Sequence, residues 1–162
     1  MFAGFAFATG PFAGLADWSG PTPDPGPTTL RQAVRRLLLD APAVAALVGS
    51  RVAFAGSGRS DAYPRITYLC PALTAGRDLD GPDGTAEARV RVSCWSDDPI
   101  EAEAVGLAVT ESLDGLGPVW VGSIFVADVA YLREYDLPEY EGDGGDAQTY
   151  QLIVDFEFDL RG

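Results

Sequence analysis

The chain has 162 residues and a formal charge of −13, from 24 acidic side chains against 11 basic ones that are all arginine. That length suits a single domain with a real core, and that charge excludes a protein that holds nucleic acid or an anionic membrane through its net field. There is no His and no Lys, so Ser/His and Cys/His nucleophile systems and most zinc sites fall away, and an enzyme is disfavoured. A hydrophobic share of 47% against 22% charged is that of a folded domain. Cys70 and Cys94 each sit in a strand-like run and read as free buried thiols.

Residues 1–27 stand apart from the rest. Phe2, Phe5, Phe7, Phe12 and Trp18 are spaced by Ala and Gly, and Pro21, Pro23, Pro25 and Pro27 follow. This composition prefers extended or polyproline geometry and cannot build its own core. Met1 to Ala16 has no basic start and is broken by Gly4, Gly10, Pro11 and Gly14, so neither a signal peptide nor a spanning helix fits. One reading is a flexible leader that stays disordered; the other, favoured because large aromatics are costly to leave in water, is an arm docked on its own domain or on a neighbouring subunit. Residues 28–162 then form one domain.

From Thr28 the spacing turns helical, with Leu30, Val34, Leu37 and Leu38 on one face and Arg31, Arg35 and Arg36 on the other. Thr29 and Gln32 read as a capping box. A short second helical turn spans Ala43 to Val48 and is stopped by Gly49. Strand-like runs follow at Arg51 to Ala55 and Arg65 to Cys70, then a polar loop, Gly76 to Gly84. Ala88, Val90, Val92 and Cys94 alternate with Arg89, Arg91 and Ser93 and predict a strand with one core face.

Asp97 to Gly115 predicts a helix: Asp98 caps it, Pro99 takes the first position, Glu101 completes a capping box and Gly115 follows the last turn. Ile100, Ala104, Leu107 and Ala108 form its predicted packing stripe. Two strands close the pattern: Val119 to Asp128 and, after the loop Glu134 to Asp146, Gln148 to Leu160. In the last, Tyr150, Leu152, Val154, Phe156, Phe158 and Leu160 face inward while Asp155, Glu157 and Asp159 face out. The order predicts an α+β domain: a largely antiparallel β-sheet with two main helices packed on one face.

Candidate chemistry is sparse. The Asp155, Glu157 and Asp159 row could be a metal ladder or a glycosidase pair, but alternating acids on a strand exterior read more simply as a solvated face with Arg89 and Arg91 as cross-strand partners. Asp78, Asp80 and Asp83 fail the calcium-loop template, because positions six and twelve fall on Asp83 and Arg89. No Gly-Lys-Ser/Thr accompanies the glycine loops, so a phosphate loop is excluded. No catalytic, cofactor-binding or metal-ligating residue is assigned, and no cofactor is implied.

The stretch Leu30 to Val52, the Tyr63-Pro64 lead into a strand, and Ala88-Arg-Val-Arg-Val-Ser-Cys-Trp-Ser96 followed by Glu101-Ala-Glu-Ala-Val together resemble the tail completion or tail terminator (tail-to-head joining) family of long-tailed bacteriophages and gene transfer particles. The likeness covers about residues 28 to 160 and leaves out the aromatic leader. It implies a structural virion protein of the tail or neck, assembled in a bacterial host cytoplasm, that forms a hexameric ring, terminates the tail tube and joins it to the head connector or stopper protein. DNA is implied only as a non-specific passenger in the lumen, and no membrane is involved. The alternatives are a head-tail connector or stopper protein, an acidic ligand- or carbohydrate-binding module and, last, a His-free hydrolase using Asp/Glu pairs.

A domain of this size has a radius of gyration of ~14 Å, so six in a ring leave a hole about one domain wide. Six acidic copies could line it with charge over which DNA slides. The expected contact residues are Arg77, Asp78 and Asp80, then Arg89 and Arg91, then Glu139, Tyr140 and Glu141, and finally Asp155 and Glu157. Nine arginines against six carboxylates in residues 28–96, and two against sixteen in residues 97–162, suggest a head-to-tail joint between unlike patches.

Overall fold

A computed structural model describes residues 26–55, 62–137 and 149–161. The leader expected at residues 1–27 lies outside them apart from Gly26 and Pro27, as does most of the Glu134 to Asp146 loop.

The chain opens with helix α1 (Leu30–Asp40), capped by the Thr29 hydroxyl, which accepts from the Gln32 N–H at 3.3 Å. The Gln32 side chain reaches one residue beyond a standard capping box and accepts from the Thr28 N–H at 2.9 Å. Ala33, Val34 and Leu38 are buried while Arg31, Arg35 and Arg36 are exposed, as the spacing predicts. Helix α2 (Pro42–Val48) follows with Pro in its first turn and ends at Gly49. Strand β1 (Val52–Phe54) is tied to α1 by the Arg35 Nε–H donating to the Val52 carbonyl at 3.2 Å and by the Arg31 guanidinium over the Phe54 ring at 4.3 Å.

Strands β2 (Arg65–Asp78) and β3 (Gly81–Ser96) form one long hairpin. The loop expected over Gly76 to Gly84 is therefore corrected to a tip of only Leu79 and Asp80, with Asp78 opposite Gly81. Thr85 stiffens the returning strand locally, its N–H and hydroxyl both donating to Asp83 Oδ1, at 2.9 and 2.7 Å. Turn-forming residues extended the apparent loop because they pair as well as bend.

Helix α3 (Pro99–Leu113) is capped by Asp98, whose carboxylate accepts from the Ile100 N–H at 2.9 Å. Its expected packing stripe is corrected: Ile100, Ala104 and Leu107 are exposed, and Ala102, Val105, Gly106, Ala108, Val109 and Leu113 face the core. Both sides of α3 are apolar, so periodicity could not choose between them. What decides is closeness of approach: a Cβ on Gly106 would collide with the Leu152 side chain.

The strand expected from Val119 to Asp128 is two strands, β4 (Val119–Val121) and β5 (Ile124–Leu137), folded at Gly122 and Ser123. The run Val-Trp-Val-Gly-Ser-Ile-Phe-Val is a hairpin signal, two alternating triplets about a turn pair. Strand β6 (Tyr150–Arg161) completes a six-stranded sheet in the order β1-β2-β3-β6-β5-β4. The fold is α+β, but the sheet is mixed rather than largely antiparallel, because β1 joins β2 in parallel. A short helix such as α2 suffices to carry the chain to the edge between α1 and β1. Among the described residues the helices are the two main ones expected, α1 and α3, and the short one expected at Ala43 to Val48, α2.

One cluster unites Val34, Leu38, Val44 and Val48 with Val90, Val92, Val105, Val109, Val154, Phe156 and Phe158, all at most 1% exposed. Burying each such side chain is worth about 1.5–3 kcal/mol. Both thiols are free, with Cys94 in this core and Cys70 half-buried. Burial pushes the Cys94 thiol up to about 12.

Candidate assembly interface

The sheet's other face carries the polar residues singled out in the sequence. Antiparallel register sets Arg91 opposite Asp155, Arg89 opposite Glu157 and Glu87 opposite Asp159. Asp155 is only 8% exposed, so the expected solvated acid face is corrected at this position. The Arg91 guanidinium grips both carboxylate oxygens, at 2.8 and 3.1 Å, and the Arg133 Nε–H donates to the second oxygen at 2.9 Å. A two-pronged, charge-assisted contact of this kind fixes geometry as well as charge. Both guanidinium groups also lie against the Tyr135 ring, Arg91 at 5.7 Å and Arg133 at 5.3 Å from its centre.

The arginine beside it sets the state of the acid. The hydrogen-bonded Arg91, helped by Arg133, holds the Asp155 carboxyl below its ordinary 3.8 despite burial, which works in the opposite direction. Next to this cluster, Ser93 and Ile153 are buried on the same face. Arg65 lies between two rings, 4.8 Å from Tyr63 and 5.5 Å from Trp95, and the Trp95 indole N–H donates to the Thr67 hydroxyl at 2.9 Å. The face is thus a floor of ion pair and aromatic contacts rather than a row of independent charges.

The other expected contact residues are scattered. Arg77 pairs in register with Pro82 and Asp78 with Gly81, beside Asp80 at the hairpin tip. Leu79, which the sequence did not single out, projects there fully exposed. Arg89 is exposed and Glu157 half-buried. Glu139, Tyr140 and Glu141 lie outside the described residues. Tyr135 falls in the expected loop from Glu134 to Asp146; sequence reasoning missed Arg133, just before it, and Trp120, 65% exposed beside Phe125.

Charge is sorted across the sheet. Strands β2 and β3 carry four arginines, Arg65, Arg77, Arg89 and Arg91, against Asp78, Asp83 and Glu87; β5 and β6 carry Arg133 and Arg161 against Asp128, Glu134, Asp136, Asp155, Glu157 and Asp159. The helices follow suit, with Arg31, Arg35 and Arg36 on α1 and Glu101, Glu103 and Glu111 on α3. A cleft of about 300 Å³ between the start of α3 and strands β5 and β6 is lined by Glu103 and Asp136 among apolar and amide groups. Among the described residues no group of three metal-ligating side chains gathers, and no helix is long and apolar enough to cross a membrane.

A family model for tail completion protein gp17 matches residues 32–159. No curated protein matches the chain. Among solved structures, a chain from one described as the virion of a native gene transfer agent (GTA) particle aligns with a TM-score of 0.64 at 20% identity, over 82% of this chain and 95% of that one. Identity this low speaks to the fold.

Proposed function

The chain belongs to the tail completion protein gp17 family, a structural component of the virion tail and not an enzyme, and on that premise we propose that it closes into a ring that ends the tail tube. By the family resemblance the ring has six copies, meets the tail tube protein on one side and the head connector or stopper on the other, and passes DNA through its lumen. The observation that supports this reading is the sorting of charge from the β2 side of the sheet to the β5 side. A closed ring of identical subunits needs a heterologous contact in which one patch meets a different one. An arginine-bearing side and an acidic side on one molecule supply that complementarity and steer the approach.

In this reading Arg77, Asp78, Asp80, Arg89 and Glu157, with Glu139, Tyr140 and Glu141, contribute to the joint. Arg91 and Asp155 give it a rigid floor. Acid in excess of what the joint neutralises faces the lumen, where it keeps the DNA backbone from adhering. Native mass spectrometry of the chain, alone and mixed with tail tube protein, tests the proposal. Closed oligomers that dissociate as salt is raised are expected; a strict monomer under every mixture sinks it.

A further inference from the structure

The β4–β5 hairpin has two faces of different character. Val121 and Val126 enter the core, while Trp120 and Phe125, paired across the hairpin, share the opposite face with ring centres 5.0 Å apart. The leader reaches the domain at this hairpin. Pro27 is buried, and its carbonyl accepts from both the Ser123 N–H, at 2.9 Å, and the Ser123 hydroxyl, at 3.3 Å. Gly122, at a φ of 62°, leaves the space a Cβ would fill to the Pro27 backbone. Trp120 and Phe125 are each two residues from that contact.

What lies upstream has matching chemistry. Pro21, Pro23 and Pro25 alternate with Thr22 and Asp24, and Trp18 precedes them. Each proline fixes its own φ and biases the residue before it toward extended backbone, so the run loses little entropy when it docks. Proline-rich segments are recognised by aromatic side chains on which their rings pack. Gly26, at a φ of 64°, turns the chain as it leaves Pro27. At ~3.1 Å per residue the run from Pro27 back to Pro21 is longer than the paired part of the hairpin, Val119–Val121 against Ile124 to Val126.

We propose that residues 18–25 lie over the Trp120–Phe125 face of their own β4–β5 hairpin, proline rings and the Trp18 indole against the two aromatic side chains. The leader is then a strap continuous with the Pro27 anchor, and Phe2 to Phe12 set out from a fixed edge of the sheet.

The full chain labelled with 5-fluorotryptophan tests this, its three resonances assigned with W18F, W95F and W120F and each read for broadening by a soluble nitroxide. The Trp120 signal is expected to be shielded, and a P21S/P23S/P25S chain to lose that shielding severalfold while Trp95 stays unchanged as the control for folding. Equal broadening of Trp120 in both chains overturns the proposal. Shielding that survives the proline replacements assigns the face to another occupant and also overturns it. Shielding that disappears on dilution shows that the strap comes from another copy, which overturns the assignment to the same chain.

Discussion

Alternate residues of the same strands build two unlike layers. On one side of β3 and β6, Val90, Val92, Val154, Phe156 and Phe158 pack under the helices by shape alone; on the other, Arg91, Arg133 and Asp155 hold one another through charge-assisted hydrogen bonds roofed by Tyr135. The apolar layer is non-directional and answers to volume. The polar layer is directional and answers to protonation and to the exact identity of the base. A sheet with an apolar layer on one side and a specified polar layer on the other can be stable and still present a rigid, charged surface.

The contrast predicts a graded set of responses. Phe156→Ala removes a fully buried ring that packs edge-on to Tyr131, and is expected to cost about 3–5 kcal/mol in urea unfolding. Asp155→Asn keeps the shape of the side chain but not its charge, and should cost about 2 kcal/mol at neutral pH. Its pH dependence separates the layers. Because the Asp155 pKa is lowered in the folded chain, its stabilisation is complete above the ordinary carboxylate value and is lost as pH falls through the folded one. The stability gap between native chain and D155N should therefore hold steady from neutral pH down to about the ordinary value and close below it, whereas the gap for Phe156→Ala should not follow this titration. A D155N gap that ignores acid would remove the distinction between the layers.

Arg89→Glu is the smallest expected effect on folding, within about 0.5 kcal/mol, since the side chain is exposed. If the head-to-tail joint is as proposed, the same change lowers the oligomeric fraction in native mass spectrometry. Loss of folding and assembly in equal measure would instead give Arg89 an internal role like that of Arg91.

The legible parts of this sequence were those with a local physical cause. The Thr29 and Asp98 caps, the stop at Gly49 and the inward row Leu152, Val154, Phe156 and Phe158 all follow from residues a few positions apart. Burial of Asp155 was not legible, because it depends on Arg133 and Tyr135 arriving from a strand that the polar run after residue 134 disguised as loop. The face of α3 was not legible either, since an evenly apolar helix leaves the choice to Gly106 and its neighbour Leu152. The Arg91 partnership was, because matching charges recurred at the strand period. The turn at Gly122 and Ser123 has a local cause as well, two alternating triplets about a turn pair, which the otherwise apolar run from Val119 to Val126 conceals.

The position of β6 has a consequence for how the subunit comes into being. The β2–β3 and β4–β5 hairpins pair neighbours in sequence, but β3 and β5 meet only through β6, whose residues follow both. The two hairpins, one richer in arginine and one acidic, therefore become one sheet only when the strand that unites them is paired. The loop closures between Ser96 and Tyr150 and between Thr85 and Arg161 put that step among the slow, non-local ones. Until β6 is made and seated, the sheet is in two pieces and the core lacks Phe156 and Phe158, so a chain still being synthesised lacks the finished surface that the proposed joint requires.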